Sequence, residues 1–236
     1  MDIGRNLGEA YQYAVKLFSD AGRLLVLVVL SIIPIVDFIT LGYLARVIRE
    51  TPSRGEPPKL EDYGELWVEG LKIVVALIIY AIIPAVLIGL AAGPLIAAGL
   101  FGYFGWGGFP FFAVGAGILL IIMIVVGVIL AFFIAIIATM GITHMVKKKS
   151  FGKAFAFGEI TAIIARVGWG SFILWVIVIY IISWIYGLVV AIPVIGWLIG
   201  LVLLPVYGTF VARSAGLVYA EATGERALPP AAEAPV

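Results

Sequence analysis

The sequence predicts an all-α, polytopic integral membrane protein. It should have about four full transmembrane helices in two hairpins, a Pro-broken membrane hairpin ahead of them, and amphipathic surface helices. Three observations predict it. The first is composition: 64% of the 236 residues are hydrophobic and 12% charged, against about 45–50% and about 25% in a soluble domain. The second is a pair of charge deserts. No Asp, Glu, Lys or Arg occurs from Ile73 to Val146, or from Val167 to Ala212. A span takes roughly 20 apolar residues, so each desert has room for two. The third is where the basic residues fall. Of fifteen Lys and Arg, three lie in 1–23, five in 46–72, five in 147–166 and two in 213–226, while 94–111 and 193–196 have none. Under the positive-inside rule every basic segment and the C-terminus are cytoplasmic, and each desert folds as a hairpin.

Residues 1–23 mix Arg5, Lys16 and Arg23 with Asp2, Glu9 and Asp20. Leu7, Tyr11, Val15 and Phe18 recur at helical spacing, which predicts a short amphipathic helix on the membrane surface. No short apolar run followed by a small-residue cleavage site marks a signal peptide. The stretch Leu24–Glu50 follows, broken by Pro34 and basic at both ends. Only 22 residues separate Arg23 from Arg46, too few to cross twice. The stretch is either a half-depth hairpin hinged at Pro34 or one kinked span. The hairpin is favoured, because the kinked span strands three basic residues outside.

The linker TPSRGEPP (51–58) lies among Arg46, Arg49, Arg54, Lys59 and Lys72. Beyond it, Leu60, Tyr63, Trp67 and Leu71 share one helix face, and Glu61, Glu65, Glu69 and Lys72 another. Residues 60–72 therefore read as a surface helix, with Tyr63 and Trp67 as headgroup-level anchors. The acidic row offers a cation site; the plainer and favoured reading is a solvated face.

Apolar spans are predicted at about 73–93, 112–145, 170–192 and 194–219. Gly89 with Gly93, and Gly196 with Gly200, are four residues apart and are candidates for close helix packing. GLFGYFGWGGFPFF (99–112) has seven aromatics and no charge. It reads as an aromatic turn at the far interface in preference to a re-entrant pore loop, since no ring of polar side chains accompanies it. Ser150–Gly168 reads as another surface helix, with Phe151 and Phe155 on one side. Pro193 hinges the last hairpin, and the Pro/Ala-rich tail is predicted to be disordered. The organisation is a surface helix (1–23), one membrane domain (24–222) and a tail (223–236). IPIVDFITLG (33–42) and IPVIGWLIG (192–200) echo each other, as the halves of a degenerate internal repeat would.

Asp37 is the acid whose environment matters. It lies three residues after Pro34 in an apolar stretch, where a charged carboxylate costs at least about 2.5–3.5 kcal/mol. It should be protonated, face a watery cavity, or cap the next helix by accepting from free N–H groups. Capping is favoured, and a coordinating group at the hairpin tip is the alternative.

The chain has no cysteine, which excludes disulfides and thiolate metal sites. His144 is the only histidine and lies just before three lysines; it reads as interfacial, since a lone His makes no metal site. Glu61, Asp62, Glu65, Glu69 and Glu159 have no histidine beside them, so no catalytic constellation is visible. No enzyme activity, metal or cofactor is expected. Single Asn and Gln residues and absent Cys fit a thermophile.

The phrases IPIVDFITLGYLARVIRE (33–50), YGELWVEGLK (63–72), SFGKAFAFGEI (150–160) and GTFVARSAGLVYAEA (208–222) resemble an uncharacterised, largely archaeal family of prokaryotic membrane proteins, the domain-of-unknown-function family numbered 4013. The resemblance covers about residues 20–222 and implies a multi-pass membrane protein. It carries over no catalytic residue and no substrate.

Three functions compete. The first is a non-enzymatic membrane protein that self-assembles or organises lipid. The second is a channel or transporter for a small solute or ion. The third is a lipid-modifying enzyme. Pumps and secondary transporters carry several ionisable residues within the membrane, and Asp37 is at most one. The order is as given, with membrane lipids and a homo-oligomer as expected partners, no nucleic acid, and the cell membrane as location.

Overall fold

A computed structural model describes residues 1–103 and 110–225. Its elements are α1 (Ile3–Val15), a 3-10 turn (Lys16–Ser19), α2 (Ala21–Ile32), α3 (Phe38–Glu50), α4 (Tyr63–Tyr103), α5 (Pro110–Lys148), a second 3-10 turn (Phe151–Phe155), α6 (Phe157–Val167), α7 (Trp169–Val190) and α8 (Ile195–Thr223). Among the described residues, four stretches are long and apolar enough to cross a membrane: Tyr63–Leu90, Leu120–Lys148, Trp169–Val190 and Ile195–Thr223. The protein is an all-α polytopic membrane protein. The chain forms two compact units, Met1–Ala76 with Thr139–Val236, and Leu77–Ala138. In the second unit, Gly127 of α5 meets the Ile88 side chain of α4. Ile78, Ile82, Val86, Ile121, Val125 and Ile129 are exposed there, the arrangement that suits a lipid surround.

In the first unit α8 is the central post. α1 packs against it and buries Ala10, Tyr13 and Ala14, with Leu17 just beyond. The stripe that the sequence offered is a different face: Tyr11 and Phe18 remain exposed. Small residues and a tyrosine allow α1 to approach α8 closely, so α1 belongs to the packed fold.

Residues 24–50 form a helical hairpin. The 12 residues of α2 rise only about 18 Å, short of a hydrocarbon core of about 30 Å. Both ends of the hairpin reach one connecting segment. Arg23 donates to the Pro57 and Pro58 carbonyls at 2.8 and 2.9 Å, and Arg46 donates to the Glu61 carbonyl at 3.0 Å. At the tip, Pro34 precedes Ile35, whose φ is 73°. The α7–α8 turn repeats this device: Pro193 precedes Val194, with φ 64°. A β-branched residue in the left-handed region is a true outlier, and the echo between the two phrases recurs here as shared backbone geometry. Gly196 closes the second turn, because a Cβ there would lie 2.1 Å from the Val189 carbonyl oxygen.

Two boundaries differ from the sequence reading. Residues 63–72 are not a separate surface helix but the first turns of α4, since nothing at Lys72–Ile73 breaks the backbone. Residues 150–168 are a 3-10 turn and α6, divided at Ala156 (ψ 66°). α6 then lays Ile160, Ile163, Ile164 and Val167 into the interior. Two close backbone contacts lie at glycines other than the four predicted. A Cβ on Gly42 would stand 1.8 Å from the Leu66 carbonyl oxygen, and one on Gly70 would stand 1.8 Å from that of Phe38. The α3 and α4 backbones touch at both points. Among the described residues nothing lies within 4 Å of a Cβ at Gly89 or Gly93, whereas one at Gly200 would meet the Val190 side chain at 2.5 Å. The core of the aromatic turn (104–109) and the tail beyond Glu225 lie outside the described residues.

The connection after α3 is Pro/Gly-rich, yet cations from five places donate to its carbonyls. Lys16 donates to Gly55 at 2.8 Å, Arg213 to Arg54 at 2.8 Å, and Lys147 to Thr51. Arg23 and Arg46 make the contacts given above. The segment is clasped, not free.

Candidate functional site

Five elements line a cavity of about 450 Å³: α3, α4 at Ile73, the last turns of α5, α7 and α8. Its wall is mostly aliphatic, from Leu41, Leu44 and Ile48 to Ile179, Leu204 and Val211. Polar atoms enter at a few points only: Asp37, Thr40, Thr139, Thr143, Tyr180, Ser183 and Tyr207. Gly208 lines it because a Cβ there would press the Leu44 side chain at 2.9 Å. The lining runs from Asp37 to Ile48 along α3, roughly 16 Å at helical rise. The site is therefore a slot, apolar along its length and polar at intervals.

Asp37 occupies the N-cap position of α3, but its side chain accepts no capping hydrogen bond. That corrects the favoured capping role. The turn itself supplies the acceptors: Phe38 N–H reaches the Ile35 carbonyl and Ile39 N–H the Val36 carbonyl, at 3.4 and 2.9 Å. The backbone at Asp37 is already helical (φ −56°, ψ −19°), which aims its carboxylate away from those N–H groups. It faces the hydroxyls of Thr40 and Ser31 instead, which are 3.2 Å apart. Ser31 donates to the Leu27 carbonyl at 2.8 Å, leaving the Thr40 proton as the one local donor for two acceptors. No ion pair among the described residues involves Asp37. Its oxygens keep acceptor capacity toward the slot.

The acidic row is exposed at Glu61 and Glu65, as a solvated face would be, but it is also paired. Glu69 and Glu65 pair with Arg49, and Glu65 and Asp62 with Arg46 at 3.8 and 3.6 Å. Two arginines one turn apart on α3 hold Glu65 and Glu69. Of the two anchors, Tyr63 is exposed. Trp67 instead donates to the Ile35 carbonyl at 2.9 Å and lies against Phe38, so it braces the hairpin tip.

Around α8 the structure gathers polar groups that the sequence scatters. Trp175 donates to Ser214 at 2.8 Å, and Ser214 bonds Asn6. Arg213 pairs with Glu9 at 2.8 Å and stacks over Tyr13 at 4.5 Å. His144 is buried, with Nε2 2.9 Å from Glu159 and Nδ1 3.0 Å from the Tyr219 hydroxyl. A ring whose Nε2–H donates to Glu159, and whose Nδ1 accepts from Tyr219, satisfies both nitrogens. Sequence reasoning missed this bridge, because the partners are 15 and 75 residues away.

Two carboxylates of the first unit have lowered pKa values. Lys153, and then His144, hydrogen-bond Glu159 in its charged form. The Arg23 N–H, and then its guanidinium, do the same for Asp20, which caps α2. A depressed folded pKa contributes stability above the unfolded carboxylate value, and that contribution is lost as pH falls through the folded value. Apparent melting temperature in detergent should therefore drop below about pH 4. The variant Asp20→Asn/Glu159→Gln should drop less over the same interval; an equal drop removes these two groups as the cause.

The family model described as a protein of unknown function (DUF4013) matches residues 26–201. No curated protein and no solved structure matches the chain.

Proposed function

Because the chain belongs to the DUF4013 family, whose description assigns no activity, we propose a role from the geometry of the slot. The protein is a non-enzymatic, lipid-organising membrane protein that seats the chain of an amphipathic lipid between α3, α7 and α8. The observation that carries this reading is the slot itself: about 450 Å³, aliphatic along its walls, with one acid at the hairpin tip. Volumes of roughly 300–1,000 Å³ with few polar groups are typical of ligand pockets. The polar end of the lipid would bring a donor to Asp37.

Ile179→Trp would place an indole in the slot. It should leave the helical fold intact and sharply reduce the lipid retained by the detergent-purified protein in native mass spectrometry. Unchanged retention would count against the reading. A second reading, an ion or solute pathway, is favoured by Asp37 alone, an acid without an ion-pair partner among the described residues. Asp37→Asn would abolish flux into liposomes under that reading and only weaken retention of donor-bearing lipids under the first.

A further inference from the structure

A second pocket, of about 550 Å³, opens where α4 begins and α5 ends. Its polar lining is Arg49, Glu65, Glu69, Lys72, Lys149 and Ser150. Val68, Met145, Val146 and Phe151 form its apolar side. The charges do not cancel. Both glutamates are taken by arginines, Glu69 by Arg49, and Glu65 by Arg46 and Arg49. Among the described residues neither Lys72 nor Lys149 makes an ion pair. Two ammonium groups therefore face this space uncompensated, with the Ser150 hydroxyl beside them.

Position adds to charge. Lys72 is the last charged residue before the desert that runs from Ile73 to Val146, and the basic run 147–149 begins where that desert ends. The two lysines thus come from opposite borders of one apolar stretch and line one pocket. That places the pocket at the level where hydrocarbon gives way to water, with Val68 exposed toward it.

We propose that this pocket binds the phosphate of an anionic lipid headgroup, with Lys72 and Lys149 as its cationic contacts and Ser150 as a neutral donor. Basic pockets between membrane helices suit such headgroups. A lysine is a compact point charge that tolerates the range of headgroup orientations, and the apolar side receives the first methylenes of the chain. Free phosphate shares the chemistry of the headgroup but gains nothing from that side.

The full-length protein in detergent would be offered equal amounts of phosphatidylglycerol and phosphatidylcholine, with retention read by native mass spectrometry and inorganic phosphate binding by calorimetry. Wild type should retain phosphatidylglycerol preferentially. Lys72→Gln/Lys149→Gln should weaken that retention about thirty-fold, roughly fivefold per lysine. Lys148→Gln, next in sequence but outside the pocket, should leave it nearly unchanged. Loss in the double variant with no phosphate heat in wild type assigns the lipid; loss of phosphate heat without lipid preference assigns free phosphate. No preference or heat in wild type, no change in the double variant, or an equal effect of Lys148→Gln overturns the site.

Discussion

Gly70→Ala is expected to destabilise the protein by about 3 kcal/mol, the upper end of overpacking costs. The new Cβ would lie 1.8 Å from the Phe38 carbonyl oxygen and 2.6 Å from its carbon. Backbone cannot rotate away as a side chain can, so α3 and α4 must part. Parting them disturbs the hairpin tip through Trp67 and Ile35, and the arginine–glutamate pairs beyond. Gly42→Ala should cost a similar amount. The double variant should cost less than the sum, because helices already separated by one methyl accommodate the second. Gly89→Ala, with open space around it, should be neutral or gain a few tenths of a kcal/mol from helix propensity, which favours Ala over Gly by about 1 kcal/mol. Equilibrium unfolding in detergent separates these outcomes. Gly70→Ala within about 0.5 kcal/mol of wild type, the range of ordinary surface changes, would refute the backbone contact.

Arg213→Ala should be the second large effect, also about 3 kcal/mol, the lower end of the cost of breaking a buried ion pair. Its side chain is 4% exposed. It holds two parts of the fold on α8: α1, through Glu9 and the Tyr13 ring, and the connection, through the Arg54 carbonyl and Thr51 hydroxyl. The deletion leaves acceptors without a donor and a void under Tyr13. Arg213→Lys should recover little, because an ammonium cannot reach several partners in a plane while covering a ring. Limited proteolysis would report which part loosens, and α1 should be cut first. A variant as stable and as protease-resistant as wild type would show that the network contributes nothing net.

What was legible in the sequence was what a bilayer imposes. Charge deserts, basic borders and Pro34 and Pro193 place four spans and a hairpin, because hydrocarbon tolerates few alternatives. Contacts between distant residues were not legible. Gly42 and Gly70 carry no GxxxG signature; their role depends on which faces of α3 and α4 meet. His144 looked like an interfacial residue because Glu159 and Tyr219 are near it only in space. Asp37 stood out in the sequence as an acid within an apolar stretch. Its capping role was not supported, since capping depends on a ψ angle that no residue pattern reveals. The slot was invisible, because its seven polar residues come from four separate elements of the chain, α3, α5, α7 and α8. The paired acids of α4 needed Arg46 and Arg49, which lie across a linker.

The clasped connection has a consequence for biogenesis. Lys16, Arg23, Arg46, Lys147 and Arg213 are among the charges an insertion machinery would count before any tertiary contact exists. After folding, the same groups donate to the carbonyls of residues 51–61. Under the positive-inside rule one set of cations would thus serve two successive events, orientation of the nascent chain and fastening of the finished one. Glutamine at any one of them removes a charge from a count of fifteen, which should barely alter orientation. Its effect should emerge only afterwards, as a correctly inserted protein with an unfastened segment.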